Sequence, residues 1–147
     1  MNKFEYAAPR TEAEALELLN DHDGGTAVLA GGTDLIQLMQ QRLVSPDRVV
    51  DINHVDSFRG IVPAGGGVIV GALTTLEEAA ESPLLADYRS LIDIVDGVRS
   101  IQIQSMGTIG GDLCHLPNCW YFRNGYGLLG IENGESLPEL GDNRYHA

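Results

Sequence analysis

Gln104-Ser105-Met106-Gly107-Thr108-Ile109-Gly110-Gly111-Asp112-Leu113-Cys114 sets a Gly-Gly pair behind a hydroxyl residue and ahead of an acidic one. Far upstream, Leu29-Ala30-Gly31-Gly32-Thr33-Asp34-Leu35 repeats the design. Adjacent glycines lack Cβ atoms, so the backbone reaches φ/ψ values closed to other residues and a ligand can touch peptide N–H groups. Successive N–H groups turned into one concavity make an anion nest, and a helix beginning there adds its positive end. Two such nests would suit the two phosphates of one dinucleotide.

Outward from the upstream motif, Ala27-Val28-Leu29-Ala30 is a short apolar run that predicts a buried strand, and Gly31-Gly32 follows it at once. Leu35 to Arg42 predicts a helix with Leu35, Leu38 and Met39 on one side. Earlier still, Phe4 and Tyr6 alternate with polar neighbours as a strand does. Thr11 with Glu14 forms a capping-box pattern at the head of a helix whose apolar face is Ala15, Leu16, Leu18 and Leu19, stopped between Asn20 and Gly25. After a turn at Ser45-Pro46-Asp47, Arg48 to Ile52 predicts another strand. Strand, helix, strand, glycine turn, helix, strand describes a small parallel α/β lobe. In open sheets of this kind ligands bind where a turn leaves the carboxyl end of a strand.

From Ser57 the character changes. Ile61-Val62 and Val68-Ile69-Val70 flank Pro63-Ala64-Gly65-Gly66-Gly67 and predict a hairpin. That glycine run precedes a strand, where a dinucleotide fingerprint must follow one. Thr75 with Glu78 predicts a capped helix from Leu76 to Glu81, ended by Pro83. A second helix is expected over Tyr88 to Gly97 with Leu91, Ile92 and Val95 inward, and Ile101 and Ile103 then alternate with glutamines. A lobe boundary is therefore expected near 54–58, giving lobes 1–56 and 57–147. Within the second, 114–147 is dense in Gly, Pro and Asn and reads as a loop insertion around the aromatic knot Cys119-Trp120-Tyr121-Phe122-Arg123.

A net charge of −12 excludes a reader of the nucleic-acid backbone, which needs a basic face. With Lys3 and eight arginines as the cations, a bound phosphate must be held largely by backbone N–H groups. No apolar run approaches the roughly 20 residues of a membrane helix, and the first residues lack a signal-peptide core, so a cytoplasmic protein is expected. Asp34 and Asp112 read as helix caps or as acceptors for a sugar hydroxyl, without a histidine or second carboxylate at a telling spacing. Cys114, His115 and Cys119 with His146 match no common zinc spacing, and buried thiols beside the aromatic knot are the plainer reading. The expectation is thus no catalytic residue and no metal site.

Taken in order, Ala30 to Leu35, Asp51-Ile52, Ile69 to Leu76 and Met106 to Cys114 closely resemble the FAD-binding medium subunit of the molybdenum hydroxylases, the family of xanthine dehydrogenase, aldehyde oxidoreductase and carbon monoxide dehydrogenase. Cys119 to Arg123 and Gly141 to Ala147 resemble the bacterial xanthine/aldehyde branch. The resemblance covers essentially the whole sequence. It implies an α+β, two-lobed FAD-binding fold of the vanillyl-alcohol-oxidase/CO-dehydrogenase-flavoprotein type: a small parallel βαβ lobe and a second α+β lobe, the latter incomplete at its C-terminus. The FAD pyrophosphate would lie against Ala30, Gly31, Gly32, Thr33, Asp34 and Leu35 on one side and Thr108, Ile109, Gly110, Gly111 and Asp112 on the other. It further implies a PCMH-type electron-transfer flavoprotein subunit. Its partners would be a [2Fe–2S] small subunit and a molybdopterin-binding large one, and its acceptor NAD or another oxidant.

Two departures accompany the resemblance. Relatives often hold a [4Fe–4S] cluster after the second glycine motif, which takes four thiolates, whereas this sequence has Cys114 and Cys119 alone. The family also continues well beyond Tyr145-His146-Ala147, so the sequence reads as a fragment. Two other classes stay open: a non-catalytic nucleotide-binding module on the same scaffold, and a zinc-stabilised interaction domain.

Overall fold

The computed structural model describes residues 2–20, 25–117, 119–127 and 129–141. The expected stop after Asn20 and the Gly141 to Ala147 motif, with His146, fall wholly or mostly outside them. The described chain forms two compact units, residues 1–114 and 115–147.

The first unit opens with β1 (Glu5–Ala7), α1 (Glu12–Asn20), β2 (Thr26–Leu29), α2 (Leu35–Gln40) and β3 (Arg48–Asp51). The three strands make a parallel sheet in the order β1-β3-β2, so the last strand enters the middle. Central position explains burial: all four β3 residues are buried, whereas β2 lies at an edge and leaves Val28 46% exposed. The expectation of a buried strand belongs to β3. A short apolar run does not reveal its rank in the sheet.

α1 starts as its sequence predicts, with the Glu14 N–H donating to Thr11 Oγ1 at 3.2 Å. The Glu14 carboxylate reaches one residue further back, to the Arg10 N–H at 2.8 Å. Ala15, Leu18 and Leu19, three and four residues apart, turn inward, and Leu16 points out. Arg48 ties three elements together: Nε pairs with Glu5 at 3.1 Å and Nη1 donates to the Leu18 carbonyl at 3.2 Å.

Two 3-10 turns, Ile52–His54 and Asp56–Phe58, stand where the lobe boundary was expected. Beyond them β4 (Ile61–Ala64) and β5 (Gly67–Val70) form the antiparallel hairpin. Then come α3 (Leu76–Glu81), α4 (Arg89–Gly97), α5 (Ile101–Met106) and α6 (Ile109–Leu113). α3 carries a full capping box and packs on α4 and α5. The Ile/Gln alternation over 101–104 folds as a helix, because Ser100 accepts from the Ile103 N–H at its head and Gln104 binds the Val95 carbonyl. The core joins both architectures: Ala15, Val50, Ile52 and Val55 from the sheet region pack with Leu73 from beyond the hairpin.

The second unit contains short elements where a loop was expected: α7 (Trp120–Arg123), a hairpin of β6 (Ile131–Glu132) and β7 (Glu135–Ser136), and α8 (Leu137–Leu140). The aromatic knot is the turn of helix α7, and Tyr121 meets Tyr126 edge to face at 6.3 Å.

Candidate functional site

The carboxyl end of β2 runs straight into the first glycine motif, as the sequence predicts. Gly32 takes φ +72°, left-handed geometry that strains any side chain with a Cβ. Among the described residues, the N–H groups of Gly31, Gly32 and Thr33 donate no hydrogen bond. Three consecutive donors without acceptors among the described residues, with a left-handed glycine among them, are what an anion nest requires. Leu38 and Met39 anchor α2 behind the loop in buried positions.

The second glycine motif comes to the first. Gly31 lies so close to the Met106 carbonyl that a Cβ there would collide with it, and Gly107 Cα is the next neighbour. Residues 75 sequence positions apart thus meet backbone to backbone.

The second motif is built differently. Ile109 N–H donates to the Thr74 carbonyl and Gly110 N–H to the Ala72 carbonyl, both at 2.9 Å. Gly111 N–H donates to Thr108 Oγ1 at 3.1 Å, and Asp112 N–H to the Thr108 carbonyl at 3.0 Å. Four of the five expected donors are therefore engaged inside the protein. Thr108, buried at the head of α6, keeps its own N–H and its hydroxyl proton for a further partner. A Cβ on Gly110 would meet Ala72 rather than a ligand, so that glycine serves packing against the 72–74 segment.

The capping half of the reading of the two aspartates is not met by their side chains. Asp34 stands at the N-cap position of α2 without a side-chain cap hydrogen bond, and Asp112 is an exposed residue inside α6, where Thr108 is the cap. Cys119 is buried and Cys114 exposed. No group of three or more His, Cys, Asp or Glu residues suited to a metal ion occurs among the described residues. No described helix is long and apolar enough to cross a membrane.

Sequence reasoning passed over a polar cluster at the carboxyl end of the sheet. Tyr6 on β1 donates its hydroxyl proton to Asp51 Oδ2 at 2.5 Å. Asp51 Oδ1 accepts from the Asn53 N–H at 2.9 Å and from Asn53 Nδ2 at 2.7 Å. The same Nδ2 donates to the Ala30 carbonyl at 2.8 Å, at the edge of the first glycine motif. Burial works to raise the Asp51 pKa, but the bonds from Tyr6 and Asn53 and the nearby His54 outweigh it and hold the carboxyl below its usual range. Tyr6 is shifted up, chiefly by its bond to Asp51. The available signal was Asp51-Ile52-Asn53 at the carboxyl end of a predicted strand.

A family model described as the FAD binding domain in molybdopterin dehydrogenase matches residues 2–118. The carbon monoxide dehydrogenase medium chain of Hydrogenophaga pseudoflava is 35% identical over 114 residues, which is 77% of this chain and 40% of that one. The aldehyde oxidoreductase FAD-binding subunit PaoB of Escherichia coli K12 is 31% identical over 123 residues, 83% of this chain and 38% of its own. Among solved structures, carbon monoxide dehydrogenase from Hydrogenophaga pseudoflava lacking the Mo-pyranopterin moiety superposes with a TM-score of 0.74 at 34% identity, covering 78% of this chain and 40% of that chain. Quinoline 2-oxidoreductase from Pseudomonas putida 86 gives 0.73 at 31% identity, with coverage of 78% and 40%. The chain spans about two fifths of the length of these relatives.

Proposed function

The chain belongs to the family of FAD-binding domains of the molybdopterin dehydrogenases, with their α+β two-lobed fold, and on that premise we propose that it binds FAD as the electron-transfer part of a molybdopterin-dependent hydroxylase. The observation that carries the reading is that the N–H groups of Gly31, Gly32 and Thr33 donate to no described residue, while Gly31 lies against the second glycine motif. Those donors fit a diphosphate in a chain whose net charge of −12 supplies few cations to hold one. Ala30 to Leu35 would carry one side of the pyrophosphate, and Thr108 to Asp112 the other. On that second side Thr108 would be the donor, and Ile109 to Asp112 would set its position. We assign lobe one to 1–56 and lobe two to 57–147, with 114–147 as an insertion.

Bound FAD would supply the one-electron to two-electron conversion that links iron–sulfur carriers to NAD or another acceptor. The chain's own residues hold and orient it, with no residue assigned to acid–base catalysis. In this reading the partners are a molybdopterin-binding large subunit and a [2Fe–2S] small subunit, the acceptor is NAD or another oxidant, and the compartment is the cytoplasm. Purification of the native protein tests it: flavin should co-purify together with molybdenum and iron. A flavin-containing protein with neither metal would favour the nucleotide-binding module instead.

A further inference from the structure

Asn53 lies two residues beyond β3 and belongs to neither glycine motif, yet it grips the peptide that starts the first one. We propose that Asn53, held in place by Asp51 and Tyr6, is a positioning residue that aims the Gly31 N–H at the ligand's diphosphate. The proposal rests on the FAD reading above and assigns a role to residues outside both loops.

A trans peptide is planar, with its C=O and N–H pointing in opposite directions, and no described peptide is cis. The Ala30 carbonyl receives Asn53 Nδ2 at 2.8 Å, so the Gly31 N–H at the other end of that plane points away from Asn53. That N–H has no acceptor among the described residues. Fixing the carbonyl therefore fixes the donor. Without this grip the peptide could turn with little resistance, since glycine follows it.

The side chain at 53 is matched to the task. An amide nitrogen carries two donors, and the two acceptors before it are Ala30 O and Asp51 Oδ1. Both neighbours being acceptors, the amide nitrogen rather than its oxygen must face them. The Asp51 carboxylate accepts from Asn53 through Oδ1 and from Tyr6 through Oδ2, which locks its plane, and charge-assisted bonds of this kind are the stronger ones. Arg59 holds the Asn53 carbonyl at 2.9 Å. The cluster thus links β1, β3 and the segment before the hairpin to one peptide of the glycine loop.

The test compares the full-length protein, freed of flavin, with its Asn53→Ala and Asn53→Asp variants. FAD affinity, the 31P resonances of the bound diphosphate and the melting temperature of the flavin-free protein are measured for each. Losing one oriented hydrogen bond should weaken FAD binding about tenfold. It should also shift a diphosphate resonance in at least one variant whose flavin-free melting temperature is little changed. Unaltered affinity and resonances would overturn the proposal. So would an affinity loss that only follows a loss of stability, or failure of both variants to fold, since Asn53 would then be structural. A wild-type protein that binds no FAD would instead remove the flavoprotein reading beneath it.

Discussion

A single carbonyl decides what can stand at residue 31. Because a Cβ on Gly31 would enter the Met106 carbonyl, Gly31→Ala must push the two glycine motifs apart. Overpacking of this kind destabilises by about 1–3 kcal/mol, so the flavin-free Gly31→Ala protein should melt several degrees lower and bind FAD more weakly. An unchanged melting temperature would contradict the backbone contact. Asp51 gives a second prediction at this scale. Its folded pKa is depressed, so its contribution to stability is present above the ordinary carboxylate pKa and lost as pH falls through the folded value. Asp51→Asn should therefore be less stable than wild type near neutral pH, with the gap closing below about pH 4. A gap that persists there in urea unfolding would mean Asp51 acts through packing alone. The donor state of each glycine was not legible in the sequence. Gly31-Gly32 and Gly110-Gly111 look alike as letters, but Ala72 and Thr108 have taken up the N–H groups of Gly110 and Gly111, and nothing described has taken up those of the first motif.

At the scale of elements, local patterns read well at the two capping-box sequences, Thr11–Glu14 and Thr75–Glu78. The Thr75–Glu78 box holds in both directions, at 3.1 and 2.8 Å, and α3 runs between the predicted ends. Thr75 also bridges to Thr108, so this cap sets the register of the second glycine motif. Thr75→Ala should lower stability by about 1 kcal/mol and should weaken FAD binding as well, because Thr108 moves with it. Chemical denaturation paired with flavin titration would show an effect on stability alone if that register is irrelevant. Patterns misled where tertiary context chose the outcome. Ile101 to Gln104 alternates like a strand, and the Ser100 cap with the Val95 carbonyl makes it helical. The run Ala27 to Ala30 reads as the apolar strand, yet strand order leaves β2 at an edge and buries Arg48 to Asp51.

For the whole molecule, the parallel lobe could be read from sequence because each strand and helix fits within a local window. The meeting of residues 31 and 106 could not, since nothing in either motif specifies its partner. The Leu73 side chain helps to bring them together, joining Val50, Ile52 and Val55 in one core and carrying the 72–74 carbonyls to the second motif. We propose that two distant glycine motifs form one dinucleotide site. Calorimetric titration of the flavin-free protein with FAD, and with FMN and AMP as its two halves, tests it directly. Saturable binding with FAD preferred over both halves is expected. Equal affinity for FAD and either half, or no binding of FAD, would contradict it.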